Sequence, residues 1–183
     1  MNISSLGAKV SCAGVIGDDS WGEKLLSILN KEGVNISYID KIKNFNTTLK
    51  QRIYSNGKQV ARIDNEEYLE QKCSFMNESF NNYDIIVLSD YNKGVLTKNW
   101  FKKPENTTVL LDPKKSFINF NQSDIITPNL NELKQLSGNN IVSESDIVQS
   151  CRIILKKYNL KYIIAKRGDE GITIIGKNDY VKH

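Results

Sequence analysis

The sequence predicts an α/β fold built on a mostly parallel sheet, with one small β-hairpin set apart from it. Short apolar runs alternate with stretches in which apolar residues recur at helical spacing. Such alternation is typical of parallel strands joined by right-handed helical crossovers. One segment departs from this pattern, because two strand-like runs are separated only by Ser55-Asn56-Gly57-Lys58, and Asn-Gly is a strong hairpin signal.

The first third of the chain holds a strand, a helix and the hairpin. The helix is predicted because apolar residues recur at helical spacing, with polar N-cap candidates before them and Gly33 after them. The hairpin does not fit the strand–helix repeat and is interpreted as an excursion from the main sheet at about residues 46–64. The predicted elements are a strand at Ala8–Val15, a helix from Trp21 to Leu29, and hairpin strands at Thr47–Tyr54 and Gln59–Ile63.

Helices and short buried strands alternate over the rest of the chain. The clearest helix is Ser143–Tyr158, where Ser143 and Asp146 resemble a capping box and the apolar residues form one stripe. The run Asp84–Leu88 has the composition of a strand buried on both faces. Further predicted helices are Glu66–Phe80, Thr97–Lys102 and Asn131–Leu136, and further predicted strands are Thr108–Leu111, Asp124–Thr127, Lys161–Ala165 and Ile172–Ile175.

Four of the predicted strands end in polar clusters, which would share one edge of a parallel sheet, where ligands bind in open α/β folds. Their mixture of cations, carboxylates and glycines suits a polyphosphate with Mg²⁺. Taken singly, each cluster is more readily explained by local structure; Asn129 and Glu132, for instance, fit a helix-capping pattern. The clusters are Ser89–Gly94, Asp112–Lys115, Pro128–Glu132 and Lys166–Gly171.

Composition and charge exclude several classes of protein. The formal net charge is +4 with Lys and Arg dispersed, so the clustered basic surface of a nucleic-acid-binding protein is not predicted. Cys12, Cys73 and Cys151 are too widely spaced for a disulfide framework or a Cys-x-x-Cys metal site, and they favour a reducing, cytoplasmic compartment. No signal peptide is recognised, and no apolar run approaches the ~20 residues of a membrane helix, so no membrane partner is expected.

Several segments resemble carbohydrate kinases of the PfkB, or ribokinase-like, family. Residues 129–132 match its N-x-x-E motif, and their setting T-P-N-L-N-E is similar to the T-P-N-L-S-E of its heptose 7-phosphate kinase branch. The segment V-L-S-D-Y-N-K-G-V-L at Val87–Leu96 and D-P-K at residues 112–114 also resemble that branch. Thr48–Glu66 resembles its lid, and residues 2–7 and 14–19 resemble the stretch after its glycine-rich sugar-binding motif.

The resemblance implies a three-layer α/β/α sandwich with the hairpin as a lid, and transfer of the ATP γ-phosphate, with Mg²⁺, to a sugar hydroxyl. The implied substrate is D-glycero-D-manno-heptose 7-phosphate, phosphorylated at O1 in lipopolysaccharide core biosynthesis, and a homodimer is expected through the lid. Residues expected to bind ATP or phosphate are Asp112, Lys114, Asn129, Leu130, Asn131, Glu132, Arg167, Gly168 and Gly171, with Glu132 also serving Mg²⁺ through water. Residues expected to bind the sugar phosphate are Asp90, Lys93, Arg52 and Arg62.

Two expected motifs of the family are missing from the sequence. The sugar-binding start of the family would precede Met1, and the G-A-G-D motif, which carries the catalytic base, is expected beyond His183. Residues 1–183 are therefore predicted to be an incomplete kinase domain that is inactive alone and either prone to aggregate or partly unfolded. Lys115 also replaces a glycine that often follows D-P-K.

The sequence alone leaves two other functions open. The chain could belong to a kinase for another sugar, such as ribose or fructose 6-phosphate, or it could be a non-catalytic nucleotide-binding remnant. A nucleotide-dependent dehydrogenase is disfavoured because no G-x-G-x-x-G follows a first strand.

Overall fold

A computed structural model describes residues 2–97, 100–114, 120–178 and 180–182. The chain forms two compact units, one of Met1–Glu78 with Lys93–Val95 and the other of Ser79–Asn92 with Leu96–His183. Parallel strands joined by helices, together with one antiparallel hairpin, confirm the predicted α/β class.

The first unit contains a short parallel sheet and one capped helix. Strands β1 and β2 pair in parallel, and α2 connects them. Asp19 is the N-cap of helix α2, and its carboxylate accepts hydrogen bonds from the backbone N–H of Gly22 and of Thr47, each at 2.7 Å. The elements are α1 (Asn2–Ser5), β1 (Ser11–Gly17), α2 (Ser20–Lys31), β2 (Asn35–Ile42), β3 (Leu49–Ser55), β4 (Lys58–Asn65) and a 3-10 turn (Ser74–Asn77).

The hairpin β3–β4 confirms the prediction from Asn-Gly. Its strands are antiparallel, and Arg52 pairs with Arg62. Asn56 and Gly57 have φ values of 50° and 75°, and two positive φ values in succession are what a type I′ turn requires. All of β4, and β3 beyond its first residue, is exposed. The hairpin therefore offers both of its faces to ligands or partners.

The second unit is built on a six-stranded sheet in the order β10-β9-β8-β7-β6-β5. Strands β5 to β8 run parallel, and β9 and β10 add to the sheet antiparallel. The strands are β5 (Ile85–Ser89), β6 (Thr108–Asp112), β7 (Ile125–Ile126), β8 (Tyr162–Lys166), β9 (Ile172–Gly176) and β10 (Tyr180–Lys182). The helices are α3 (Leu130–Ser137) and α4 (Glu144–Tyr158), with 3-10 turns at Phe120–Gln122 and Gly168–Glu170.

The main core lies between α3, α4 and one face of this sheet. Alternate strand residues such as Leu111 and Ile163 are buried there, and they meet the predicted stripe of α4, including Cys151 and Ile154. Helix α4 begins with the predicted capping box of Ser143 and Asp146. Because strand side chains alternate, the residues that follow Leu111 and Ala165 belong to the opposite face of the sheet.

Two predicted helices are wrong. In place of a helix over Glu66–Phe80 there is irregular chain with the 3-10 turn at Ser74–Asn77, because Leu69 donates its N–H to the distant Lys93 carbonyl at 2.9 Å. In place of Thr97–Lys102, residues 97 and 100–102 are irregular, while 98 and 99 lie outside the described residues. Pro104 follows closely and disfavours a helix at the residue before it.

All three cysteines are free. Among the helices of the described part of the chain, none has the length and apolar character of a transmembrane segment.

Candidate functional site

The parallel register brings the polar strand ends of the second unit together. Ser89 pairs with Asp112 at the ends of β5 and β6, and Asn129 forms a bridge with Lys166 beyond β7 and at the end of β8. The backbone N–H of Asp90 donates to the carbonyl of Asp112 at 3.2 Å. We call the resulting row of side chains the rim: Asp90, Asp112, Lys114, Asn129, Glu132 and Lys166.

An aspartate–lysine pair lies at the centre of the rim. Oδ1 of Asp112 accepts hydrogen bonds from Lys166 Nζ at 2.5 Å and from Thr127 Oγ1 at 2.8 Å. Burial alone would raise the pKa of Asp112, but the bonds from Lys166 and Thr127 outweigh it and hold the pKa below its usual value. Asp112 is therefore a carboxylate at neutral pH, available to a cation or to a metal-bound water.

Asn129 and Glu132 form a complete capping box at the start of α3. The Asn129 side chain accepts from the Glu132 N–H at 2.9 Å, and Glu132 Oε2 accepts from the Asn129 N–H at 2.7 Å. The local explanation of N-x-x-E is thus confirmed. The capping box uses only Oε2 of Glu132. The other carboxylate oxygen, Oε1, lies 3.9 Å from Lys114 Nζ and is available to a ligand. Leu130 and Asn131 form the first turn of α3.

Lys114 and Asp90 occupy the β5–β6 side of the rim. Lys114 Nζ lies 5.4 Å from the ring centroid of Tyr91, within the range of a cation–π contact. Asp90 is 3% exposed, and its Oδ1 accepts a hydrogen bond from the Asn92 N–H at 2.8 Å. Burial raises the pKa of Asp90, opposed by this hydrogen bond. A buried carboxylate of raised pKa is a candidate for contact with a polar substrate.

Arg167 makes contacts away from the rim carboxylates. Its guanidinium binds Glu144 at 2.8 Å and Glu170 at 2.6 Å, and it donates to Thr173 Oγ1 at 3.3 Å. The side chain is only 8% exposed, so these partners hold it on the α4 side of the sheet. Gly168 and Gly171 follow in a tight turn with φ values of 68° and 87°. Their proposed role at the nucleotide stays a prediction.

The remaining predicted site residues lie in the first unit. Lys93 and Lys50 both contact Glu66, and these two cations lower the pKa of Glu66 to about 2, that of Lys50 being the larger influence. Arg62 Nε binds Asp64 at 2.9 Å, and Arg52 lies opposite Arg62 on the hairpin. Their proposed contact with the sugar phosphate is a prediction that the first unit alone does not test.

Gly94, which follows Lys93 in the S-D-Y-N-K-G segment, has a structural role. Its φ is +84°, and an added Cβ would lie 2.0 Å from the Leu69 carbonyl oxygen. Only glycine fits this close approach without strain.

Lys166 is the rim residue that sequence reasoning missed. Lys166 belongs to the predicted cluster Lys166–Gly171, but the prediction assigns the nucleotide contact to Arg167. The alternation of side chains along β8 could have indicated the position of Lys166. Ala165 is buried in the core, so the next side chain, that of Lys166, lies on the opposite face of the sheet. Asp112 follows the buried Leu111 on β6 in the same way.

The rim suits a metal ion that is held mainly by phosphate. Within the described ranges, no group of three or more His, Cys, Asp or Glu side chains is arranged to hold a metal ion. Mg²⁺ usually keeps several waters and binds through one or two carboxylates plus substrate phosphates. Asp112 and Glu132, flanked by Lys166 and Lys114, match that requirement.

The amino-acid sequence of this chain is similar to those of known carbohydrate kinases and of HldE proteins. A family model described as pfkB family carbohydrate kinase matches residues 1–183. The bifunctional protein HldE of Campylobacter fetus subsp. fetus (strain 82-40) is 30% identical over 189 residues, covering 97% of this chain and 41% of that protein. HldE of Helicobacter pylori (strain ATCC 700392 / 26695) is 31% identical over 194 residues, covering 98% and 42%. The chain thus spans about two fifths of the length of these relatives.

Solved structures share the fold at low sequence identity. The Arabidopsis thaliana ribokinase complexed with ribose and ATP has a TM-score of 0.71 at 18% identity, covering 98% of this chain and 62% of that one. The ribokinase of Thermotoga maritima has a TM-score of 0.66 at 20% identity, covering 94% and 59%. These likenesses confirm the ribokinase-like fold that the sequence predicted.

Proposed function

We propose that this chain, which belongs to the pfkB family of carbohydrate kinases, supplies the Mg-ATP-binding part of a sugar-phosphate kinase. The observation that supports this most directly is the rim, where Lys114 and Lys166 meet the carboxylates of Glu132 and Asp112 at the carboxyl ends of parallel strands. Phosphoryl transfer depends chiefly on positioning and on charge stabilisation. A rim that alternates cations with carboxylates provides both for a metal-complexed triphosphate.

The rim residues divide this work by their contacts. Lys114 and Lys166 would contact phosphate oxygens, because each ammonium has further donors beyond the carboxylate that it meets. Asp112 and Glu132 Oε1 would hold Mg²⁺ through its waters, and the ion would offset charge on the phosphates. Asn129 would act mainly by fixing Glu132 through the capping box.

We propose a heptose 7-phosphate as the sugar substrate, phosphorylated at O1. Support comes from the S-D-Y-N-K-G, D-P-K and T-P-N-L-N-E segments and from the likeness to HldE proteins. Arg52 and Arg62 are exposed partners on the hairpin, and two guanidinium groups suit recognition of a phosphate already on the sugar. Ribose or fructose 6-phosphate is the alternative within the family.

Isothermal titration of ATP into the purified chain, with and without Mg²⁺, tests the nucleotide site. We expect Mg²⁺-dependent binding that the double variant Lys114→Gln/Lys166→Gln weakens by at least about tenfold, or about 1.4 kcal/mol. Lys156→Gln is the matched control, because it removes one exposed lysine of α4 away from the rim. ATP binding that is unchanged in a folded double variant would refute the proposal.

Heptose 7-phosphate, ribose and fructose 6-phosphate are then titrated in turn. The heptose is expected to bind most tightly, and Arg52→Gln/Arg62→Gln should reduce its affinity without changing that for ATP. Equal affinities for the three sugars would leave the heptose assignment without support.

A nucleotide-binding protein without transfer activity is the second candidate, because the rim contacts account for binding of a metal-complexed triphosphate and do not by themselves require transfer. We expect ATP to bind without measurable transfer to heptose 7-phosphate in an ADP-release assay. Release of ADP that depends on the sugar would contradict this expectation.

We also propose a homodimer through the hairpin. Ile53, Val60 and Ile63 are 45%, 62% and 54% exposed on it, and a second copy of the chain would cover such apolar surface.

A further inference from the structure

The second unit carries a cavity at the edge of the sheet opposite to the rim. Its volume is about 490 Å³, within the range of about 300–1,000 Å³ that is usual for small-molecule sites. Asp124 and Lys161 precede β7 and β8, whereas rim residues follow those strands, so the two places are separate. The cavity is lined by Lys103, Asn121, Ser123, Asp124, Lys157, Tyr158, Asn159, Lys161 and Lys177.

Asp124 forms ion pairs with two of the four lysines that line the cavity. Its carboxylate binds Lys103 Nζ at 2.5 Å and Lys161 Nζ at 3.0 Å, and it accepts the backbone N–H of Val109 at 2.9 Å. The Asp124 side chain is only 4% exposed, so it lies beneath the lysines and does not block the cavity. Each ammonium keeps N–H donors beyond the one that faces Asp124.

The other two lysines have no carboxylate among the described lining residues. Lys157 Nζ lies 5.0 Å from the Tyr158 ring centroid, and Lys177 Nζ lies 3.5 Å from Asn159 Oδ1. The C-terminus of α4 favours a lysine at position 157 through its dipole. The helix dipole does not explain Lys177, which lies in the turn after β9. Four lysines against one aspartate leave the described lining strongly positive.

We propose that this cavity is a second ligand site, which binds a small anion carrying two or more phosphoryl groups. Clustered ammonium groups repel one another, and a multivalent phosphoryl anion offsets that repulsion by accepting charge-assisted hydrogen bonds from several of them. The amide side chains of Asn121 and Asn159 add neutral donors. Asp124 is the one carboxylate in the described lining, so we expect the site to take the anion without a metal ion.

Inorganic pyrophosphate is the probe, and two-dimensional NMR of the ¹⁵N-labelled full chain locates it. The titration is made without Mg²⁺, in the Lys114→Gln/Lys166→Gln background, so that binding at the rim does not contribute. We expect saturable shifts of the backbone amides of Asn159, Lys161 and Lys177. Orthophosphate should bind more weakly, because it reaches fewer of the lysines.

Lys157→Gln/Lys177→Gln should weaken pyrophosphate binding by about tenfold or more, whereas Lys156→Gln, one residue along α4, should change it less than twofold. Circular dichroism checks that each variant is folded, and Lys177→Gln alone serves if the double variant is not. The proposal is overturned if shifts are absent, if they lie at the rim strand ends, or if Lys156→Gln weakens binding as much. ATP binding at the rim is measured separately, so the proposed kinase function stands or fails independently.

Discussion

Glu132 makes two separable contacts, and the variant Glu132→Gln tells them apart. Oε2 completes the capping box with the Asn129 N–H at 2.7 Å, whereas Oε1 faces Lys114 Nζ at 3.9 Å. Glutamine serves a capping box as glutamate does, so this variant keeps the helix cap and removes only the charge. Glu132→Ala removes both. Stability and metal-dependent binding are therefore expected to respond differently in the two variants.

The magnitudes follow from these contacts. A lost cap costs about 1 kcal/mol, which lowers the Tm of a chain of this size by about 2–4 °C. We expect that loss for Glu132→Ala and a change within about 1 °C for Glu132→Gln. Loss of a group that orients metal-bound water typically lowers metal affinity about 10–100-fold. Both variants should show that loss in the Mg²⁺ dependence of ATP binding.

Thermal unfolding followed by circular dichroism measures the change in Tm, and ATP titrations at several Mg²⁺ concentrations measure the Mg²⁺ dependence of ATP binding. Asp146→Ala is the matched control, because it removes the equivalent capping residue of α4. It should lower Tm as Glu132→Ala does and leave Mg-ATP binding unchanged. If Glu132→Gln binds Mg-ATP as the unaltered chain does, Glu132 serves only the helix and its place in the site is refuted.

Three other perturbations test parts of the structure by urea unfolding or sedimentation. The paired Asp124 has a folded pKa below its ordinary value, because its lysines and the backbone outweigh the effect of burial. The free energy of unfolding should therefore fall as the pH drops from about 4 through that lower pKa, and Asp124→Asn should flatten this fall. Gly94→Ala should cost at least about 2 kcal/mol, because it combines a positive φ with a clash against the Leu69 carbonyl, and a loss below about 0.5 kcal/mol would contradict the close approach. Ile63→Asp should shift the chain from dimer to monomer in sedimentation velocity, and an unchanged sedimentation coefficient would refute the hairpin interface.

Features set by local chemistry could be predicted from the sequence. The Asn-Gly turn needs two positive φ values that these residues tolerate, and the structure shows them at Asn56 and Gly57. Helix α4 follows from its own apolar stripe and capping box, and the strands β6 and β8 follow from their composition. The predicted burial of Asp84–Leu88 on both faces is wrong, because β5 is the edge strand of the sheet and Ile85 and Val87 are exposed. Convergence of the polar strand ends then follows from parallel pairing alone.

Features set by distant partners could not be predicted in this way. A helix is predicted over Glu66–Phe80, but that segment is held by the Lys93 carbonyl and by the Asp40 carboxylate, which accepts the Ser74 N–H at 2.6 Å. Alternation along β8 indicates the face of the sheet on which Lys166 lies, but it does not identify the partner of Lys166. That partner, Asp112, is 54 positions away, and no local pattern identifies a charge pair of that separation.

The charge balance of the two edges of the sheet suggests how they would divide phosphoryl ligands. At the rim, Asp112 and Glu132 match Lys166 and Lys114, so a free polyphosphate gains little there until a divalent ion offsets part of its charge. At the opposite edge, the described lining of the cavity carries four lysines and one buried aspartate, and a divalent ion bound to the ligand removes the charge that the site needs. Added Mg²⁺ should therefore strengthen ATP binding at the rim and weaken pyrophosphate binding at the cavity. Opposite responses of one chain to one ion would not arise if both edges merely attracted anions through the net charge of +4.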